Sequence, residues 1–125
     1  MLKFKDDGQF EPITFSNSGC LQEKLEIFIR VCQTLDKVHQ LGFVHRKVRP
    51  TSILIGQNKR PIVCDFTRSI STQQEVEPFH LTSIEDLAYW APEETGKTAL
   101  RPSACTDLYS LGLFFCFALL CFFTF

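Results

Sequence analysis

Asp65 closes a stretch, residues 44–67, that reads VHRKVRPTSILIGQNKRPIVCDFT. Two short apolar runs, Ser52 to Ile55 and Pro61 to Cys64, flank a basic turn, and the five residues Gly56 to Arg60 between them predict a hairpin. Such a strand pair presents one carboxylate at its end. Placed there, Asp65 can hold a hard cation or lie buried and hydrogen-bonded. Ahead of the hairpin stand His45, Arg46, Lys47 and Arg49. Lys47 cannot accept a proton near neutrality: an ammonium has an unperturbed pKa of about 10.4, and burial would have to lower it by about three units. Lys59 and Arg60 read as a solvated hairpin tip.

The flanking elements must hold this stretch in place. Residues 2–4 predict a short strand, Asp6-Asp7-Gly8 a turn, and Pro12 to Gly19 a loop in which Asn17 or Ser18 caps the following helix. From Leu21, the apolar residues Leu25, Phe28, Val31 or Cys32, Leu35 and Val38 recur every three or four positions. They predict an amphipathic helix with Gln22, Glu23, Lys24, Arg30, Gln33 and Lys37 largely on its other face. Gly42 ends it as a left-handed residue. Residues 67–86 show no sustained period and predict a long surface loop, closed by the aromatic anchor Tyr89-Trp90 and by Pro92, a helix-starting residue. No charge occurs from Leu108 to Phe125, after Thr106-Asp107. A helix apolar all round is either a membrane span or the centre of a core.

Composition sets the outer limits. The 125 residues suit one domain with a moderate core, and 45% hydrophobic against 22% charged residues excludes a disordered chain. Thirteen basic and fourteen acidic residues leave a net charge of -1, so no global field recruits nucleic acid or an anionic membrane. Six cysteines, at 20, 32, 64, 105, 116 and 121, include no C-x-x-C pair. They read as buried free thiols in a reducing compartment. The N-terminus is too polar for a signal peptide, which makes a cytoplasmic setting the default.

Four motifs in order resemble the C-terminal lobe of a protein kinase: HRKVRPTSIL for the catalytic loop, CDFT for the metal-binding segment, APE at Ala91, Pro92 and Glu93, and TDLYSLG at 106–112 for the start of the central buried helix. The resemblance covers residues 1 to about 120. It implies an α+β kinase-like fold, mainly α, with its N-terminal lobe and closing helices absent: hinge and following loop over 1–20, long helix 21–42, catalytic-loop and metal-segment hairpin 43–67, activation-type loop 68–93 and central apolar helix 104–125. The chain then reads as a fragment of a longer protein or a truncated gene product. A narrower likeness, in LAYWAPEETGKTALRPSACTDLYSLG, is to the kinase-like domain at the N-terminus of fungal hybrid sensor histidine kinases.

For the chemistry, the resemblance implies ATP and magnesium as cofactors, with Asp65 as metal and nucleotide contact and Ser52 in the place of the second metal ligand. His45 packs structurally, Arg46 contacts the long loop, and Arg49 takes the place of the Lys that meets a phosphate. Asp107 ties down the loop backbone, Glu93 lacks its usual arginine partner, and Gly112 belongs to the central helix motif. Thr82 and Ser83 are candidate phosphorylation sites facing Arg46. Lys47 stands where the family has its carboxylate base, Thr67 where it has Gly, and Glu85-Asp86 where it has Gly-Thr. These departures lead to a pseudokinase-type signalling or regulatory module whose partners are other domains of a larger protein or a partner protein. The alternatives are part of an active ATP-dependent serine/threonine or sensor kinase, and a fragment tethered to a membrane through 108–125.

Overall fold

A computed structural model of the chain describes residues 11–12, 20–56, 58, 60–76, 84–96 and 98–123. The strand expected at 2–4 and the caps expected at Asn17 or Ser18 lie outside them, as do Lys59, Thr82 and Ser83. Helix α1 (Leu21–Gln40) begins after Cys20, whose side chain makes no capping bond. Its apolar positions sort unevenly. Val31 and Leu35 are fully buried, while Leu25, expected on the same face, is 39% exposed. Gly42 follows with φ +83°, a left-handed conformation in which only glycine escapes a Cβ penalty, and its N–H donates to the His39 carbonyl (2.9 Å).

The expected hairpin forms from β3 (Ile53–Ile55) and β4 (Pro61–Val63), paired antiparallel with Ile53 opposite Val63 and Ile55 opposite Pro61. Gly56 N–H donates to the Arg60 carbonyl (3.3 Å) across the turn, and Arg60 is exposed, as a solvated tip requires. Three strands were not expected. Strand β1 (Glu11–Pro12) pairs antiparallel with β3, so Pro12 belongs to an edge strand, the place in a sheet that accepts proline. Strand β2 (Phe43–Val44) pairs with β5 (Ile70–Ser71), so the long loop is anchored near its start. Pairs of two residues show no alternation for a sequence to display. After β5 come the short helix α2 (Ile84–Leu87) and a 3-10 turn at Pro92–Glu94 with Pro92 at its first position.

Helix α3 (Ala104–Phe123) closes the fold. Ser103 caps it reciprocally: Cys105 N–H donates to Ser103 Oγ (3.2 Å) and Ser103 N–H to Thr106 Oγ1 (2.9 Å). Asp107, Ser110, Leu111 and Phe114 are buried and lie three, four and seven residues apart, one face of the helix. That face meets Val31 and Leu35 of α1, Val48, Ile53 and Val63 in a single core, with Phe28 stacked on Phe115 (centroids 4.0 Å apart) beside it. Leu108, Tyr109, Phe117 and Leu120 are exposed, so among the described residues α3 is covered on one side. Among the described residues no helix is long and apolar enough to cross a membrane.

The one-sided cover also corrects the cysteine expectation. Cys20, Cys32, Cys64, Cys105 and Cys116 are free, but Cys20, Cys105 and Cys116 are exposed and the other two only partly buried. Cys116 lies within an apolar run and points away from the core, a distinction that hydrophobicity alone does not encode.

Candidate functional site

The site is held from behind by Asp107. Its carboxylate, buried in the first turn of α3, accepts His45 N–H at Oδ2 (2.8 Å) and Arg46 N–H at Oδ1 (2.8 Å), and Oδ2 lies 2.7 Å from His39 Nε2. One side chain thus joins α1, the loop after β2, and α3. The helix N-terminus favours a negative charge there. Between the two tethered residues and Val48 the chain turns sharply, with Arg46 at φ +64°, and Asp65 at the end of the hairpin adopts φ +59°. Each such left-handed non-glycine residue costs on the order of 1–3 kcal/mol and persists only where its surroundings over-determine it.

His45 is buried and structural. Its Nδ1 accepts Lys47 N–H (3.1 Å) while Nε2 lies 2.9 Å from the Cys64 carbonyl, an acceptor, so the ring is neutral with its proton on Nε2. Burial lowers the imidazole pKa and outweighs the opposing pull of the Cys64 carbonyl and Asp107. The ring also packs against Phe66, with centroids 4.6 Å apart. Burial raises the neighbouring Cys64 thiol, and the Asp65 charge adds to the effect.

Ser52 is buried, with its hydroxyl donating to the Arg49 carbonyl (2.8 Å) and accepting Arg49 N–H (3.0 Å), which closes the 3-10 turn Pro50–Ser52 on itself. Its own carbonyl accepts Cys64 N–H (2.8 Å), binding the loop to the strand that leads to Asp65. Lys47 reaches across that junction. Its Nζ lies 2.9 Å from Asp65 Oδ2 and donates to Thr67 Oγ1 (3.4 Å), and Thr67 Oγ1 donates to Asp65 Oδ1 (2.6 Å). Arg49 Nη2 stands 3.9 Å from the same Oδ2. Burial alone would raise the Asp65 carboxyl, but the Thr67 hydroxyl and the Lys47 ammonium outweigh it and hold the group below its ordinary value.

A magnesium ion needs oxygen ligands free to turn toward it. Both Asp65 oxygens are engaged, one by a cation, and the Ser52 hydroxyl faces the loop's own backbone. Among the described residues no three His, Cys, Asp or Glu side chains gather as a metal site. As it stands, the Asp65 centre does not fit a divalent ion.

Arg46 turns away from Asp65. Its Nε and Nη2 donate to Glu94 Oε1 (2.7 Å) and Oε2 (2.8 Å), a two-pronged pair with a carboxylate that is only 5% exposed. Arg68 joins from the long loop: Nη2 donates to Glu94 Oε2 (3.2 Å) and the guanidinium lies 4.4 Å over the Trp90 ring. Burial pushes Arg68 below its ordinary pKa, with Glu94 opposing. Arg46, expected to contact the long loop, is bound instead by Glu94 in the 3-10 turn that follows that loop, and the loop's own Arg68 meets the same carboxylate. The available signal was a second glutamate directly after the one in the Ala-Pro-Glu motif. Glu93 accepts the Thr106 hydroxyl (2.5 Å), joining the Ala91-Pro92-Glu93 motif to α3, and Ala91 is fully buried. At Gly112 an added Cβ would meet nothing within 4 Å, so local packing does not demand glycine there.

Comparison with known proteins agrees with this arrangement. The family model for the protein kinase domain matches residues 5–124. Serine/threonine-protein kinase PknB of Mycolicibacterium smegmatis is 34% identical over 91 residues, 70% of this chain and 14% of that protein. Serine/threonine-protein kinase PknD of Chlamydia caviae is 28% identical over 108 residues, 71% of this chain and 11% of its own length. STE20-related kinase adapter protein alpha of Rattus norvegicus is 29% identical over 92 residues, 69% of this chain and 23% of that protein. The chain thus spans less than a quarter of each of these relatives. With the loop, hairpin, Ala-Pro-Glu turn and Asp107-headed helix in kinase order and the family model covering nearly all of it, the chain belongs to the protein kinase domain family.

Proposed function

We propose that this chain is the C-terminal-lobe part of a kinase-like signalling module that has lost phosphoryl transfer and works by binding, as a regulatory or interaction domain toward other domains of a larger protein or toward a partner protein. The observation that carries this reading is Lys47 in the place of the base, ion-paired to Asp65 at 2.9 Å. Phosphoryl transfer depends on positioning and charge neutralisation: a carboxylate to orient the hydroxyl, metal ligands, and cations on the phosphates. An ammonium held against a carboxylate cannot take the hydroxyl proton. If each missing electrostatic element costs about 2.7–4 kcal/mol, the loss of two removes most of the rate enhancement, even though such terms do not add. The relative named as an adapter supports a role in assembly.

Any contact of ATP phosphates with this lobe would fall on the cations Lys47 and Arg49, in a cytoplasmic setting. The narrower affinity with fungal hybrid sensor kinases rests on the sequence stretch 87–112 alone, and the serine/threonine kinase relatives draw the reading toward that branch. Their names also favour the second reading, part of an active kinase. Labelled-ATP phosphotransfer by the longest natural product carrying this chain separates the two. No incorporation above a no-enzyme control is expected, whereas robust turnover that survives Lys47→Ala would overturn the proposal.

A further inference from the structure

We infer that Lys47 is a resident cation of the Asp65 centre: its ammonium fills the role a divalent ion would have there, so the loop and the Asp65 segment are held together without metal. Three features carry this. Lys47 Nζ sits 2.9 Å from Asp65 Oδ2 and also reaches Thr67 Oγ1 at 3.4 Å, so it bridges two residues of the hairpin's exit from the loop side. Thr67 takes the other Asp65 oxygen at 2.6 Å, leaving neither oxygen free of a donor. Arg49 Nη2, at 3.9 Å from Oδ2, adds a second positive charge that a dication would have to approach.

The physical consequence is competition. A divalent ion entering this centre must displace an ammonium already in contact and then sit near a guanidinium, and like charges at such distances repel by amounts that dominate a weakly liganded surface site. Among the described residues no three metal-ligating side chains gather around it, so one carboxylate offers little in return. Lys47 and Asp65 are both partly exposed, at 17% and 27% of their side chains, so the pair is reachable by ions and the exclusion is electrostatic, not steric. Removing the ammonium while keeping its aliphatic stem should turn the centre from metal-excluding to metal-accepting.

The inference rests on the reading above for the position of Lys47, but its readout is metal binding and not turnover, so the two fail separately. Mn2+ is the probe, titrated into the full 125-residue chain and followed by electron paramagnetic resonance of the free ion, with Mg2+ as competitor. The wild-type chain should bind Mn2+ no more tightly than its Asp65→Asn variant. Lys47→Met should gain about tenfold in Mn2+ affinity, an increment within reach of one close charge pair, and Lys47→Met/Asp65→Asn should lose that gain. Wild-type binding equal to that of Lys47→Met, no gain in Lys47→Met, or a gain that persists without Asp65 would each overturn the inference. Lys47→Ala serves as a second variant, and circular dichroism confirms that each chain is folded before titration.

Discussion

Asp107→Ala is expected to destabilise the chain by about 3–5 kcal/mol, lowering the thermal midpoint by on the order of 10–20 °C. The substitution strips the acceptor from two backbone N–H groups, the buried one of His45 and the partly buried one of Arg46, and the partner from His39. Orphaned donors lose their hydrogen bonds without regaining water, which is the costly direction of the exchange. Two further features make this position sensitive. Arg46 is held at φ +64° by these bonds, and without them the loop is free to leave that conformation and lose its place in the site. Helix α3 also loses an acid from its first turn. Asp107→Asn keeps one acceptor oxygen but turns an amide donor toward the other N–H, and should cost about 1–3 kcal/mol. Urea unfolding followed by circular dichroism measures both, and a midpoint unmoved by Asp107→Ala would contradict the role given to this residue.

Glu94→Ala should have a comparable effect, about 3–5 kcal/mol, by a different route. Here the damage is charge left behind. Arg46 and Arg68 come from separate loops and converge on a carboxylate that is 5% exposed, with Arg68 also lying over Trp90. Without Glu94, two guanidinium groups face each other in a poorly solvated space. Like charges there repel and the cheapest response is to open the long loop. Adding Arg46→Ala to Glu94→Ala should therefore recover part of the loss, a positive coupling of the kind that a double-mutant cycle isolates. Amide hydrogen exchange at residues 68–76 provides the local readout. Exchange unchanged in Glu94→Ala, or strictly additive effects in the cycle, would show that the three side chains are not a unit.

The elements with local signatures are legible in the sequence. Helix α1 announced itself by its apolar spacing, Gly42 by the end of that pattern, and the β3–β4 hairpin by two aliphatic runs around a Gly/Asn turn. Asp107 could be singled out as a tie to the loop, and its carboxylate does receive the loop's N–H groups. What escaped was non-local. The β2–β5 pair joins two-residue strands 26 or more residues apart, and the capping of α3 depends on Ser103 and Thr106, which sit among other small polar residues. Glu94 was hidden by its neighbour: of two adjacent glutamates only Glu93 belongs to a named motif, yet Glu94 is the one that binds both arginines. Lys47 was recognised as a missing base but not as a partner for Asp65, because an ion pair across a loop and a hairpin leaves no periodic trace.

That pair is the centre of the account, linking the lost base to the closed carboxylate. Its most direct test is nitrogen-15 NMR of the lysine ammonium groups near neutral pH. A Lys47 signal with slowed hydrogen exchange is expected in the wild-type chain, reverting to fast exchange in Asp65→Asn while the remaining lysine signals stay unchanged. A Lys47 ammonium that exchanges like an exposed lysine in the folded wild-type chain, or one indifferent to Asp65→Asn, would contradict it.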